Sequence, residues 1–113
     1  MTEQREATIQ YSIMRLLNVH PKVAWAERMN SGVAKLKGFR VKFGFVGCAD
    51  IIGQLRDGRL LAIECKNEKG ELTEQQEKFL QKVTKNHGVA GVCRSVQDAD
   101  DLLRLNDRRE DAK

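Results

Sequence analysis

The 113-residue sequence predicts an α/β fold, a mixed central sheet flanked by helices. Three observations carry this. Apolar residues recur at helical spacing near the start of the chain, two short apolar runs joined by turn chemistry occupy its middle, and a short apolar run sits between two amphipathic segments near its end. The predicted order is helix, about three antiparallel strands, helix, strand, helix.

The first helix is expected from about Glu3 to Asn18, since Ile9, Ile13, Leu16 and Leu17 form one stripe and Pro21 forbids continuation. Glu6 falls inside that stripe, so its carboxylate is expected to point toward the core or a cleft. "KVAWAERMN" reads as a strand and "SGVAKLKG" as a polar, glycine-bounded loop. "FRVKFGFVG" alternates Phe39, Val41 and Phe43 with Arg40 and Lys42, the period of a half-buried strand or extended ribbon with a basic outer face. Residues 49–55 and 59–66 are two further strands, and "RDG" between them signals a hairpin. In "LTEQQEKFLQKVTKNHG", Thr73 and Gln76 fit a capping box, Phe79, Leu80 and Val83 form the apolar stripe, and Gly88 suits the stop. "VAGVCR" is a short buried strand, and Ser95 caps a last helix over "SVQDADDLLRLND".

The length fits one domain spanning residues 1–113, with a frayed tail from about residue 106. Twenty Lys and Arg against 16 Asp and Glu give a net charge of +4, which suits a polyanionic partner but is far from histone-like. Cys48, Cys65 and Cys93 lack the spacing of a zinc site and read as reduced thiols. The charged "MTEQREATIQ" lacks the apolar core of a signal peptide, and no apolar run is long enough for a membrane span. The expectation is a cytoplasmic protein with no membrane partner. Trp25 and the phenylalanines are expected in the core, and His20 and His87 at turns or helix ends.

The chemistry concentrates in "ADIIGQLRDGRLLAIECKN", residues 49–67. Residues two apart on a strand share a face, so Glu64 and Lys66 project together. A two-residue Asp57-Gly58 turn would pair Asp50 with Cys65. A three-residue Arg56-Asp57-Gly58 loop, with Gly58 left-handed, instead pairs Asp50 with Glu64. Two carboxylates so placed repel unless they share a hard cation. The plainer reading of any E-x-K tripeptide is a pair of surface residues at a strand end, but here the pair follows "LLAI", a run that looks buried on both faces, where charge is costly without partners.

With Asp50 opening one core strand and "ECK" (Glu64, Cys65, Lys66) closing the next, the sequence resembles the PD-(D/E)xK nuclease superfamily, whose restriction-endonuclease-like αβββαβ core has the same element order. More narrowly it resembles a stand-alone VRR-NUC domain, through "ERMNSG", "FVGCADIIG", "DGRLLAIECKNEKGELTEQQEKFL" and "GVAGVCRSVQDAD". The resemblance implies Asp50, Glu64 and the carbonyl of Cys65 as metal ligands, Glu6 as the helical glutamate reaching the metal, Lys66 as the residue that positions or activates water, and Gln76 as the glutamine of the "(S/T)xxQ" helix start. Ala49 stands where the superfamily has proline. Plainer roles stay open: Glu6 as partner of a lysine at the helix edge, and Gln76 as a capping residue only.

Arg28, Asn30 and Ser31 before Gly32 are candidate phosphate contacts, though a turn at a strand end would look the same. Lys35, Lys37, Arg40 and Lys42 form the densest basic region and either follow a DNA backbone or make a solvated face. The expected function is a metal-dependent DNA endonuclease using Mg²⁺ or Mn²⁺, because oxygen-only ligands favour hard ions. The resemblance further implies branched or junction DNA as substrate, in the manner of Holliday-junction resolvases, and with it a homodimer supplying two symmetric sites. The alternative is a non-catalytic DNA-binding module that uses the basic surface.

Overall fold

In the computed structural model residues 5–29, 32–36, 39–43 and 45–107 are described, with main-chain pairing alone for 32–36 and 39–43. Ile9, Ile13 and Leu17, spaced four apart, drive helix α1 (Glu6–Val19), and all three are buried. Its first residue is Glu6, after Arg5 as N-cap; the expected start at Glu3 lies outside the described residues. His20 caps its C-terminus. The ring accepts the Lys22 N–H at Nδ1 and lies 3.3 Å from Asp100 at Nε2.

Strands β1 (Val23–Arg28), β4 (Ile51–Leu55), β5 (Leu60–Cys65) and β6 (Val89–Cys93) form one sheet in the order β1-β4-β5-β6. The first three are antiparallel and β6 runs parallel to β5, the mixed sheet that the sequence predicts. Between β1 and β4 the chain makes a separate ribbon. Strand β2 (Gly32–Leu36) pairs antiparallel with β3 (Phe39–Phe43), with Lys35 opposite Arg40 and Val33 opposite Lys42. This corrects the reading of "SGVAKLKG" as a loop. A short strand flanked by lysines and glycines draws its main-chain hydrogen bonds from a partner, and local composition does not reveal them. The two-residue gap between Leu36 and Phe39 is hairpin spacing.

The hairpin that sets the site has the three-residue loop. Ile51 faces Ile63 and Gln54 faces Leu60; the Gly58 N–H closes on the Leu55 carbonyl at 2.9 Å, and Gly58 sits at φ +98°. Only a residue free of a Cβ adopts that angle cheaply.

Helices α1 and α3 (Val96–Leu105) cover one face of the sheet, where Ile51, Leu61, Ile63, Cys65, Val89 and Cys93 pack with Ile13 and Leu103. Helix α2 (Glu74–Lys85) covers part of the other face over β5 and β6, with Leu80 and Val83 against Ala62 and Ala49. Its end differs from expectation. His87, at φ 70°, takes the left-handed position and Gly88 N–H bonds to the Val83 carbonyl at 2.8 Å, so the glycine lies two residues beyond the Asn86 cap.

Two aromatic expectations are corrected. Trp25 is 45% exposed, because a bulge between Val23 and Trp25 shifts edge strand β1 and α2 does not extend over it; the indole N–H donates to Gln54 Oε1. Phe45 is also exposed, with its ring edge-on to Phe79 at 5.2 Å between centroids. The chain end is tied further than expected: Asn106 accepts from Arg59 and Lys22 pairs with Asp107. Residues 108–113 lie outside the description.

The segment leading into β4 is pinned to the start of α2. Gly47 has φ +87°, and a Cβ there would stand 2.5 Å from the main-chain oxygen of Gln75. Gly47→Ala is therefore expected to destabilise the fold by about 2 to 3 kcal/mol, read as a lower urea midpoint. An unchanged midpoint would mean that this loop does not pack on α2.

Candidate active site

The candidate residues gather where β4 begins and β5 ends. Continuing the register of Ile51 with Ile63 makes Asp50 the cross-strand neighbour of Glu64. Beyond Ile51 a side chain replaces the ladder, as the Cys65 N–H donates 2.8 Å to Asp50 Oδ2 rather than to a main-chain carbonyl. On the opposite side, the Asp50 carbonyl accepts from the Met29 N–H at 2.7 Å. Asp50 is thus fixed from both flanking strands.

Glu64 is only 2% exposed, the sole charged residue buried among the described residues. Its Oε1 accepts from Gln76 Nε2 at 3.1 Å, while its Oε2 is buried with no donor to accept from when both carboxylates are ionised. Burial, then the hydrogen-bonding and charge of Asp50, push its pKa up to about 8; Lys66 pulls the other way and Glu6 adds slightly to the rise. An unpaired buried carboxylate oxygen beside a second carboxylate is expensive unless something positive fills the gap. Cys48 is buried close by, and its thiol is held protonated by burial and by the charges of Glu64 and Asp50.

Gln76 holds both roles open to it in the sequence. Its Oε1 accepts from Thr73 N–H at 2.9 Å and Thr73 Oγ1 accepts from Gln76 N–H, the reciprocal capping box, while Nε2 reaches Glu64. The start of α2 therefore orients the buried carboxylate. Glu6 departs from expectation: it is exposed at the first turn of α1 rather than buried. Being on the first turn, it lies beyond the buried stretch of the stripe. Its Oε2 nevertheless lies near Gly70, as does the Lys66 side chain: a Cβ at Gly70 would stand 3.0 Å from Glu6 Oε2 and 3.2 Å from Lys66 Cδ.

The structure thus brings Asp50, Glu64, Cys65, Lys66, Gln76 and Glu6 to one end of the sheet. Arg28 ends β1 opposite Ile51, one residue from Asp50, and is exposed. Lys35, Arg40 and Lys42 lie on the β2–β3 ribbon; Asn30, Ser31 and Lys37 lie outside the described residues. Among the described residues, no three His, Cys, Asp or Glu side chains are grouped closely enough to hold a metal ion by themselves. Any cation here takes two carboxylates plus main-chain oxygen or water, and the partnerless Glu64 Oε2 fits that donor set.

Sequence reasoning missed Arg94. It follows β6 directly, and its Nη1 donates to the carbonyls of Asn67 and Gly70, both at 2.6 Å. The available signal was that of Lys66: a charge at the end of a buried run, here "VAGVCR".

The element order, the mixed sheet and the charged end of its central strands place the molecule in the restriction-endonuclease-like class of α/β domains. The family model for the VRR-NUC domain matches residues 5–97, and the chain belongs to that family of nuclease domains. No curated protein sequence matches the chain.

Proposed function

We propose that this chain is a metal-dependent endonuclease that hydrolyses phosphodiester bonds in DNA, with branched or junction DNA as its preferred substrate. The observation that carries the reading is the buried Glu64 carboxylate, one oxygen partnerless, beside Asp50 in a chain of a nuclease family. Asp50, Glu64 and the Cys65 carbonyl would hold a Mg²⁺ or Mn²⁺ ion, with Glu6 reaching the site from α1. When bound, the cation supplies charge neutralisation for the phosphate and a more acidic water.

The protein's own groups do the rest. Gln76 fixes Glu64 through Oε1 and leaves Oε2 for the cation. The Cys65 N–H holds one oxygen of Asp50 and so sets the direction of the other. Lys66 shares the face of Glu64; its ammonium orients the attacking water and offsets negative charge growing on the phosphate. Arg28, Lys35, Arg40 and Lys42, with Asn30, Ser31 and Lys37, contact the DNA backbone by charge and hydrogen bonding.

One domain carries one such site, so cutting both strands of a four-way junction calls for a two-fold homodimer. Sedimentation showing a monomer while junction resolution persists would remove the dimer.

The test is cleavage of labelled four-way junction, flap and linear DNA with and without Mg²⁺ or Mn²⁺, by wild type and Lys66→Ala. Cleavage by wild type is expected only with metal. Lys66→Ala is expected to bind DNA normally and cut at least about 100-fold more slowly. Equal DNA binding by both proteins, with no cleavage under either metal, would leave a DNA-binding module instead.

A further inference from the structure

We propose that Arg94 is a positioning residue for this site: by clamping the turn at residues 67–70, it sets where Lys66 and Glu6 stand relative to the carboxylate pair. The inference rests on the nuclease reading above and assigns a role to a residue outside the motif.

Lys66 and Arg94 are the first residues beyond β5 and β6, side by side in the parallel register that pairs Cys65 with Cys93. The Lys66 N–H bonds to the Cys93 carbonyl at 3.2 Å, the last main-chain link before the two chains diverge. Past that link the chain turns sharply. Asn67 Oδ1 accepts from the N–H groups of Lys69 and Gly70, and the Asn67 carbonyl accepts from Gly70 N–H at 3.2 Å.

These bonds shape the turn internally, and Arg94 ties it to the sheet. One guanidinium nitrogen bridges the carbonyls of Asn67 and Gly70, the two ends of the turn. Arg94 is held in its own place by its N–H to Asp98 Oδ2 at 2.9 Å, and Asp98 is bonded to the Ser95 cap of α3. A chain of hydrogen bonds thus runs from the start of α3 to Gly70.

Gly70 is where this matters. The space a side chain would fill there is taken by Glu6 Oε2 at 3.0 Å and by Lys66 Cδ and Cβ at 3.2 and 3.3 Å from the Cβ position. The turn is the surface against which both side chains rest. Moving it moves the ammonium and the carboxylate together, with no change in their charge.

The experiment measures single-turnover cleavage with Mg²⁺, DNA affinity, and the NMR resonance of the ¹³C-labelled Lys66 Cε in Arg94→Ala, with Arg94→Gln in its place where the alanine variant fails to fold. The Lys66 resonance is assigned by its disappearance in Lys66→Arg. The expected result is a cleavage rate lowered roughly 10- to 100-fold with DNA affinity unchanged, and a displaced Lys66 resonance. In a Lys66→Ala background the added loss from the Arg94 substitution is expected to shrink to the part that acts through Glu6, since one of the two groups it positions is gone. The same fold-loss in both backgrounds, or a Lys66 resonance that stays in place, would overturn the proposal and leave Arg94 as a loop staple. Wild-type protein inactive with every DNA and metal would instead overturn the nuclease reading. The Lys66 resonance then decides alone, displacement supporting the positioning role and an unmoved signal ending it.

Discussion

Glu64→Gln is expected to abolish metal-dependent cleavage while making the metal-free protein more stable. The carboxyl group sits 2% exposed against Asp50, with Oε2 buried, so the folded state carries a repulsion and an unmet acceptor once Glu64 is ionised. The amide has the same shape. Its oxygen can still accept from Gln76, and its NH₂ can donate to the Asp50 carboxylate, turning a like-charge contact into a charge-assisted hydrogen bond. A gain of about 1 to 3 kcal/mol follows, visible as a higher urea midpoint without metal above about pH 8, where folded Glu64 is ionised. The same change removes a negative ligand, and cleavage should fall by at least about 100-fold. A variant that is less stable than wild type without metal at pH 9 would contradict the picture of a strained carboxylate pair. One that keeps full activity would remove Glu64 from the site.

The metal-free protein is expected to lose stability as pH rises from about 5 to about 9, and Mg²⁺ is expected to flatten that decline. Burial and Asp50 raise Glu64 from an ordinary value of 4.5 to about 8. Below pH 4.5 the group is protonated folded or unfolded, and its contribution is fully present. Between 4.5 and 8 the unfolded chain releases the proton while the folded one keeps it, so stability drains away as pH climbs through the window. A cation binds the ionised pair, so its stabilisation grows over the same range; at a hundredfold excess over Kd it is about 2.7 kcal/mol. Thermal melts at pH 5, 7 and 9, in chelator and in Mg²⁺, measure both effects, and Glu64→Gln isolates this group from other titrations by flattening the chelator curve. A metal-free melting temperature that rises between pH 6 and 8 and is insensitive to Glu64→Gln would refute the assignment.

What the sequence revealed here was whatever local chemistry dictates. Asp57-Gly58 marked the hairpin and left two registers to choose between; the structure takes the three-residue loop, with Gly58 left-handed and Asp50 facing Glu64. The capping box at Thr73 and Gln76 was likewise written in adjacent residues. What stayed hidden depended on partners distant in the chain. Strand β2 is short and begins with glycine, and becomes a strand through β3. Trp25 is apolar yet exposed, since a bulge and the limited reach of α2 decide its surroundings. Helical periodicity put Glu6 in line with Ile9 and Ile13, but could not show that the stripe's first turn overhangs the end of the sheet. Arg94 acts on carbonyls, and main-chain acceptors leave no trace in composition.

The hydrogen bond from Met29 to Asp50 also bears on how such a protein can diversify. It fastens the two ends of the excursion that contains the β2–β3 ribbon, so the four-stranded sheet closes on itself whatever lies between. Doubling the length of a loop closed in this way costs only about 0.6 kcal/mol. Insertions, deletions and charge changes in the ribbon are thereby uncoupled from the geometry of Asp50 and Glu64. The part of the chain richest in positive charge can vary while Asp50 and Glu64 keep their places.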